Sequence, residues 1–489
     1  MKHMKSIVLF FITILVSFQT ITVFASVDSL SQESEKASER WTLERCIEYA
    51  LAHNVNISDQ DINVRRSENT LNQNRLNRYP TLNASASHNY NFGRSIDPFT
   101  NQFVTQRIQS NNFSITGNVV VFNGKRITNT IARSENELER ARLQAKTTEN
   151  QIALNVADAF LQVVFAQNQL KNFEEINKST KTQLDQAKLM VDAGVTNERQ
   201  YLNLKAQDAR DKMNIQSAKG SIRMATLRLL QTMQYEGESI QIEKPDFQEF
   251  GVSNTISPEG VVMNAESIMP DVKLAQSQMK SAQLNEKISK SGLYPRLSLF
   301  VNVNSLYSES RLERFNQTSE LREIGFVEGS NQPVVTQFTN YETRVASFGQ
   351  QLQDNFGQAA GLSLSIPIFN NNQVRANMVD SKLSALIAEN NIERVKVNLR
   401  ADIIQAYTDY ENAIASYASA IENEKAQKEN YLFVEKSTNA GVSTTAEMVL
   451  ALNDWSVAKN DVERARFQLV YSRTILNFYN TGEISISGN

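Results

Sequence analysis

The sequence predicts a mainly α protein with a small β part, built from two tandem copies of a long helical hairpin with a strand pair ahead of each. Three observations carry this. A stretch of the chain reads as one very long helix, the same stretch recurs at a constant offset, and the apolar period switches from 3.5 to 2 just before each copy. The first long stretch, Lys125 to Ala193, contains neither Gly nor Pro and runs between Gly124 and Gly194. Its apolar residues recur at spacings of four and three: Ile127, Ile131, Leu138, Ala141, Ala145, Ile152, Val156, Ala159, Val163, Ala166, Leu170, Phe173, Leu184, Ala187 and Val191. Ser134 and Glu149 fill two steps of this seam, and Asn177 and Thr180 occupy the gap before Leu184. A period of 3.5 keeps one helix face against a partner over many turns. At 1.5 Å per residue such a rod reaches roughly 100 Å, so it cannot bury its seam against itself.

The second copy supplies a partner. Phe122-Asn123 matches Phe369-Asn370 and Ala193-Gly194-Val195 matches Ala440-Gly441-Val442, both at an offset of 247 (369 − 122 and 441 − 194). The shifted seam runs Val374, Met378, Ala385, Ala388, Ile392, Leu399, Ile403, Ala406, Tyr410, Ala413, Tyr417, Ala420, Tyr431 and Val434, with Thr438 its main loss. One constant offset means that no insertion was tolerated, as expected if both rods must have equal length.

Composition narrows the function classes. Fifty basic and 53 acidic residues leave a formal charge of −3, with no basic tract to suggest nucleic acid. The single cysteine, Cys46, excludes an intrachain disulfide framework and a Cys-based metal cluster, and His3, His53 and His88 are too scattered for a zinc site. No catalytic constellation emerges: there is no Gly-rich phosphate loop, no G-x-S-x-G and no Cys/His pair, and Glu174, Glu175 and Asp402 read as solvated faces of the rods. No cofactor is expected.

In chain order, residues 1–25 read as a secretory signal, with Lys2 and Lys5 ahead of an apolar Ile7–Val16 and cleavage after Ala25. A polar lead covers 26–41. The first structural repeat, 42–238, starts with a helix from Thr42 to about Arg78, ended by Tyr79-Pro80. A strand pair follows at 81–122: Leu82, Ala84, Ala86, His88, Tyr90 and Phe92 alternate with Asn83, Ser85, Ser87, Asn89 and Asn91, then Phe113, Ile115, Gly117, Val119 and Val121 with Ser114, Thr116 and Asn118. Next come the long helix 125–193, a tip turn at 194–197 capped by Thr196 or Asn197, and a helix to about Met233. A polar connector spans 239–256. The second repeat, 257–482, opens on Ser257-Pro258, carries Pro270 in an early turn and reaches Tyr294-Pro295. That pair lies at an offset of 215, so the second strand pair, 296–369, is 32 residues longer (247 − 215). The extra length, around Glu309 to Gln353, is expected to be a polar surface loop. The long helix 371–440, the tip turn 441–444, a last helix and a tail at 483–489 complete the chain.

Four strands with one apolar face cannot be left open in lipid, where each unpaired edge amide costs several kcal/mol. A closed barrel needs about eight or more strands, so copies of the chain must share one. A soluble β-sandwich cap within one chain is the alternative. For the rods, Ala-rich seams suit either a cylinder completed by several chains or a plain coiled-coil stalk.

The duplicated order, the Tyr-Pro and Phe-Asn junctions and the two Ala-Gly-Val turns together resemble the TolC family of outer-membrane efflux channels, over about Trp41 to Asn480. The resemblance implies a homotrimer whose shared transmembrane β-barrel continues into a shared periplasmic α-barrel. It implies the exit duct of a tripartite efflux pump or type I secretion system, in the outer membrane of a Gram-negative bacterium. The partners would be outer-membrane lipid, a periplasmic adaptor (membrane fusion protein) and an inner-membrane transporter, with no nucleic acid. It makes Gly194, Val195 and Thr196, with Gly441, Val442 and Ser443, the adaptor-contacting tips. A valine exposed in both turns suits contact better than turn chemistry alone. It also sets Glu447 at an acidic tunnel entrance, although Leu450 stands where the next acid of that pattern falls. Thr444-x-x-Glu447 equally fits a capping box. The competing reading is a secreted helical filament or coiled-coil protein without a transport role, which accounts for neither the leader nor the duplication. An adaptor would carry one helical hairpin where this chain has two.

Overall fold

The structure, a computed structural model, describes residues 40–96, 101–105, 107–237, 239–243, 257–326, 328–330 and 332–484. The expected leader, nearly all of the lead, residues 244–256 of the connector and the last five residues lie outside these.

The first repeat runs α1 (Leu43–His53), α2 (Val55–Leu76), β1 (Thr81–Asn91), short β2 (Ser95–Ile96) and β3 (Phe103–Val104), β4 (Ile108–Phe122), α3 (Arg126–Asp192) and α4 (Glu198–Met233). The second runs α5 (Pro258–Ile268), α6 (Pro270–Lys290), β5 (Arg296–Ser308), β6 (Leu312–Phe326), β7 (Pro333–Val345), α7 (Phe348–Asp354), β8 (Gly357–Ser365), α8 (Gln373–Asn439) and α9 (Thr445–Thr481). Both rods have 67 residues. Their seams are buried at Ile131, Leu138, Ile152, Val156, Val163 and Ala166 in α3, and at Leu399, Ile403, Ala406 and Ala413 in α8.

Three expectations change. The helix expected from Thr42 to Arg78 breaks at Asn54, whose extended backbone ends α1 while its side chain accepts from the Asn56 N–H at 2.9 Å to start α2. The second repeat breaks at the equivalent place, Met269 (269 − 54 = 215), where Pro270 at the first helical position bars a continuous helix. Asn54 hid because asparagine inside a helical pattern reads as a polar face residue until its cap is seen. The third change is the 32-residue extension. Instead of a loop, residues 309–353 form the β6–β7 hairpin and the short α7. Apolar and charged residues share each face of that hairpin, so its period is faint in the sequence.

The breaks let α1 and α5 close over the ends of α4 and α9. Trp41, Cys46 and Ala50 pack there with Val156, Phe160, Leu229 and Met233, and burial raises the Cys46 thiol to a pKa of about 12. Val261, Ala265 and Met269 form the matching cluster with Leu399, Ile403 and Leu476. Each Val, Leu, Ile, Phe or Met among them contributes about 1.5–3 kcal/mol by burial. On the strand side of this belt the helices lie in the order α2–α3–α6–α8, and on the tip side α4–α3–α9–α8. The rod α3 is therefore packed by both repeats.

Four strands make one antiparallel sheet in the order β1-β4-β5-β8. Its register puts Ala84, Ile115 and Val303 on one face, in line with Leu299 and Leu362, and Ser85, Ser114 and Asn304 on the other. Phe300 and Val120 are exceptions on the polar face, and the Phe300 ring lies over Gly361, where no Cβ obstructs it. The apolar face is bare: Leu82, Val301, Leu362 and Leu364 are exposed. Among the described residues no helix is long and apolar enough to cross a membrane.

Sheet passes to rod through a pair of left-handed residues in both repeats, Gly124-Lys125 (φ 64 and 66°) and Asn371-Asn372 (φ 50 and 59°). Gly124 has a second duty, since a Cβ there would lie 2.7 Å from Tyr294 Cβ and 2.9 Å from the Ser291 carbonyl oxygen. Gly194 has open space around its Cα. Gly124→Ala should therefore cost about 2–5 kcal/mol, adding overpacking to left-handed strain. Gly194→Ala should cost only about 1–2 kcal/mol. Thermal melting followed by helical circular dichroism should rank the two variants in that order.

Candidate functional site: hairpin tips and the polar ladder behind them

Each rod ends in the same backbone device. Gly194 and Gly441 take φ 71° and 74°. The Val195 N–H reaches back to the Met190 carbonyl and the Val442 N–H to the Ser437 carbonyl, both at 2.9 Å. The Gly194 and Gly441 N–H groups bond the Val191 and Thr438 carbonyls, both at 3.0 Å. These bonds close the orphan carbonyls of the last helical turn and force the chain to reverse. The reversal leaves Val195 and Val442 at the apex, 75% and 82% exposed.

The turns differ in how the next helix starts. Asn197 holds the N-cap position of α4 without a side-chain cap bond, and the Thr196 hydroxyl bonds Gln200 at 2.7 Å. At α9 the expected capping box is formed. The Glu447 N–H donates to Thr444 Oγ1 at 3.3 Å, and the Thr444 N–H donates to Glu447 Oε2 at 3.0 Å. Ser443 sits in the turn, its N–H 3.2 Å from the Ser437 carbonyl. Leu450 is exposed one turn further on.

Behind the tips lies a feature that the sequence reading did not assign. A ladder of polar side chains stitches the two hairpins together. Asn168 donates to Glu463 at 3.0 Å, Lys459 pairs with Glu175, Gln183 donates to the Tyr431 hydroxyl at 2.6 Å, and Gln207 donates to Asn453 at 2.8 Å. Tyr431 stacks on Trp455 at a centroid distance of 5.3 Å, and its hydroxyl also meets Ser179 and Glu435. Burial, with the Glu435 carboxylate beside it, raises the Tyr431 pKa to about 12, so the hydroxyl keeps its proton. The hydrogen bond from Lys459 lowers the pKa of Glu175.

Within the first hairpin, Asn177 donates to Asp208 at 3.0 Å and Thr180 to Asp211 at 2.6 Å. The two carboxylates are driven apart. Burial is the largest influence on Asp208 and favours its neutral form, but Lys212 at 2.6 Å and Asn177 together outweigh it, and the pKa falls. At Asp211 burial prevails over the bonds from Thr180 and Gln207, and the Asp208 charge adds to it, so the pKa rises. The second hairpin keeps the positions and changes the chemistry. Shifting Asn177 and Asp208 by 247 gives Glu424 and Trp455 (177 + 247 and 208 + 247), and the Trp455 indole N–H donates to Glu424 at 2.7 Å. The one hint in the sequence was the pair Asn177 and Thr180 interrupting the apolar seam. Among the described residues no group of His, Cys, Asp or Glu side chains is placed to hold a metal ion.

Two long hairpins of equal length, joined to an open sheet with one apolar face, define a fragment of a tube-forming membrane protein. Family comparison agrees: the model for outer membrane efflux proteins matches residues 46–233 and 261–478, and the chain belongs to that family. The two matched stretches correspond to the two repeats. Among curated proteins no sequence matches. In fold, the chain is similar to the outer-membrane channel OprN at 16% identity and a TM-score of 0.67, covering 90% of this chain and 89% of that one. It is similar to the Campylobacter jejuni CmeC outer membrane channel at 14% identity and a TM-score of 0.69, covering 94% and 92%. The open state of the Neisseria gonorrhoeae MtrE channel gives 16% identity and a TM-score of 0.65 over 90% and 88%. Family membership makes the chain a component of an efflux duct and not an enzyme.

The Asp211 environment has a consequence for stability. Its raised pKa means that folding favours the protonated form, so its contribution is fully present below the unfolded pKa and is lost as pH rises through the folded one. Asp211→Asn carries no charge to desolvate and should melt higher than the parent protein at neutral pH. The difference should shrink as pH falls through the folded pKa of Asp211, as read by melting temperature against pH.

Proposed function

We propose that three copies of this chain close one continuous tube, which serves as the passive exit duct of a tripartite efflux pump or type I secretion system. The observation that carries this is the unfinished state of a single chain on both flanks. The sheet has free edges at β1 and β8. The rod α8 exposes Val379, Leu383, Ile387, Val397 and Ile404, while α2 and α4 on the opposite flank expose Val55, Ile62, Leu202 and Met213. Rotation about a threefold axis brings β8 to the β1 of the next copy and α8 to its α2 and α4, covering both flanks at once. Twelve strands would then line the outer membrane and twelve helices the periplasm.

In this reading the tips face a periplasmic adaptor, which couples the duct to an inner-membrane transporter. Apex valines in both turns offer that adaptor an apolar contact that a solvated turn would not otherwise need. The polar ladder would resist separation of the hairpins, so opening the tip costs its hydrogen bonds. The transporter, not this chain, would provide the energy. Glu447 would add negative charge at the entrance while capping its own helix.

Two experiments test the assignment. Val195→Asp combined with Val442→Asp should reduce export at least tenfold while the detergent-extracted protein still runs as a trimer; undiminished export rejects the tip contact, and a soluble monomer in the periplasmic fraction rejects the duct. Glu447→Gln keeps an acceptor for the capping box and removes the charge. Its melting temperature should stay within about a degree of the parent, while cation preference in planar bilayers falls.

A further inference from the structure

The internal repeat holds a template for the joint between copies. Within one chain α3 packs on α9 of the other repeat. Along that contact Lys459 pairs with Glu175, and Asn168 donates to Glu463 at 3.0 Å. Phe165 lies 5.8 Å from Phe467, and Leu161, Val164 and Val470 line the same narrow cleft. Each partner has a counterpart 247 residues away, α8 for α3 and α4 for α9. Those counterparts lie at opposite ends of the tip-side row α4–α3–α9–α8, so one chain cannot repeat the contact with itself.

Translation by 247 shows what the outer flanks carry instead. Ala157, Leu161 and Val164 of α3 are buried, whereas their counterparts Ile404, Thr408 and Glu411 of α8 are exposed. Glu175 and Lys459 become Glu422 and Lys212 (175 + 247 and 459 − 247), so both charges are kept. The lysine is also braced alike, each time by the residue four places earlier. Lys459 lies over the Trp455 ring at 5.8 Å, and Lys212 bonds Asp208 at 2.6 Å. Val164 and Val470 become Glu411 and Arg223 (164 + 247 and 470 − 247), an apolar contact replaced by opposite charges. Phe165 and Phe467 become Asn412 and Gly220, so the ring contact is lost. Glu411, Glu422 and Arg223 are exposed and form no ion pair among the described residues. A flank that waits in water for its partner cannot display Val and Phe, and charges of opposite sign are the soluble replacement.

We propose that neighbouring copies join along their rods in the frame of the internal repeat, with α8 of one against α4 of the next. Glu422 then meets the neighbouring copy's Lys212, and Glu411 meets its Arg223. The inference rests on the trimeric tube proposed above and specifies its joints. Glu422 and Glu411 precede Gly441 by 19 and 30 residues (441 − 422 and 441 − 411), which puts the pairs roughly 30 and 45 Å behind the tip. They therefore lie apart from the apex valines and from Glu447. The Arg223 pair fixes the register. A slide by one heptad would set Glu411 against Gln216 or Leu230 (223 − 7 and 223 + 7), leaving it without a facing cation.

Charge exchange tests this on the full chain, purified as a trimer in detergent. Glu411→Arg and Arg223→Glu should each lower the temperature at which the trimer dissociates by about 5 °C, with helical content unchanged. The double variant restores opposite charges across every joint and should recover most of that loss. A double variant that loses as much as the two singles combined overturns the Glu411–Arg223 pair. Crosslinking reads the register in intact cells, in a Cys46→Ala background with a short bismaleimide. Glu422→Cys with Lys212→Cys should give covalent dimers and trimers about fivefold more efficiently than Glu422→Cys with Lys205→Cys, which lies about 10 Å away along α4. An intact trimer with equal ladders from both pairs, or with none, overturns the proposed joint and leaves the tube standing. A parent chain that extracts only as a monomer overturns the tube and the joint together.

Discussion

The structure depends on the rod α3 being packed from both sides by helices of different repeats. A helix of 67 residues has far more seam than one neighbour can cover along its whole length. Here α2 and α6 cover it toward the sheet, and α4 and α9 toward the tips. Because the two hairpins share this wall, their tips stay level only if their rods are equally long. The constant offset of 247 and the equal helix lengths are two expressions of that requirement. An insertion in either rod would rotate every later seam residue by about 100° and lift one tip above the other.

Apolar packing alone would let two such long hairpins slide by a heptad with little penalty. The polar ladder opposes that sliding, since its rungs join specific side chains of the two hairpins and a buried polar group left without a partner costs about 1–3 kcal/mol. Tyr431 shows this well, with its hydroxyl bonded across the hairpins and its ring stacked on Trp455. Ladder and seam therefore divide the work, the seam supplying adhesion and the ladder supplying register. Placing register-fixing bonds close behind the turns ties the position of each tip to its neighbour.

At the other end the same logic acts through the backbone. Strands in an open sheet have obligatory donors and acceptors on their outer edges, and β1 and β8 keep theirs unpaired within one chain. Apart from Phe300 and Val120 on the polar face, apolar and polar residues alternate along β4 from Phe113 and along β5 as far as Asn304, and the apolar face runs on through Ile115, Val303, Val301 and Leu299. The left-handed pairs at Gly124-Lys125 and Asn371-Asn372 then turn each strand into a rod with the same geometry twice. Glycine is used where Tyr294 and the Ser291 carbonyl crowd the turn, and asparagine serves in the other repeat.

The residues alone determined the duplication, the rods, the strand alternation, the turns at Gly194 and Gly441 and the capping box of Thr444 and Glu447, because each is written in local spacing. Period, glycine position and the reach of one side chain to its own helix need no knowledge of distant chain. Tertiary structure decided the rest. The break at Asn54, where the Val55 N–H after the cap bonds Gln234, the hairpin hidden in residues 309–353 and the ladder through Gln183, Gln207, Tyr431 and Lys459 all involve partners tens to hundreds of residues away. A polar residue in a helical pattern looks like a solvated face until its partner is brought opposite it. Which repeat kept carboxylates at Asp208 and Asp211, and which replaced one with Trp455 over Tyr431, acquires meaning only once the two hairpins lie side by side.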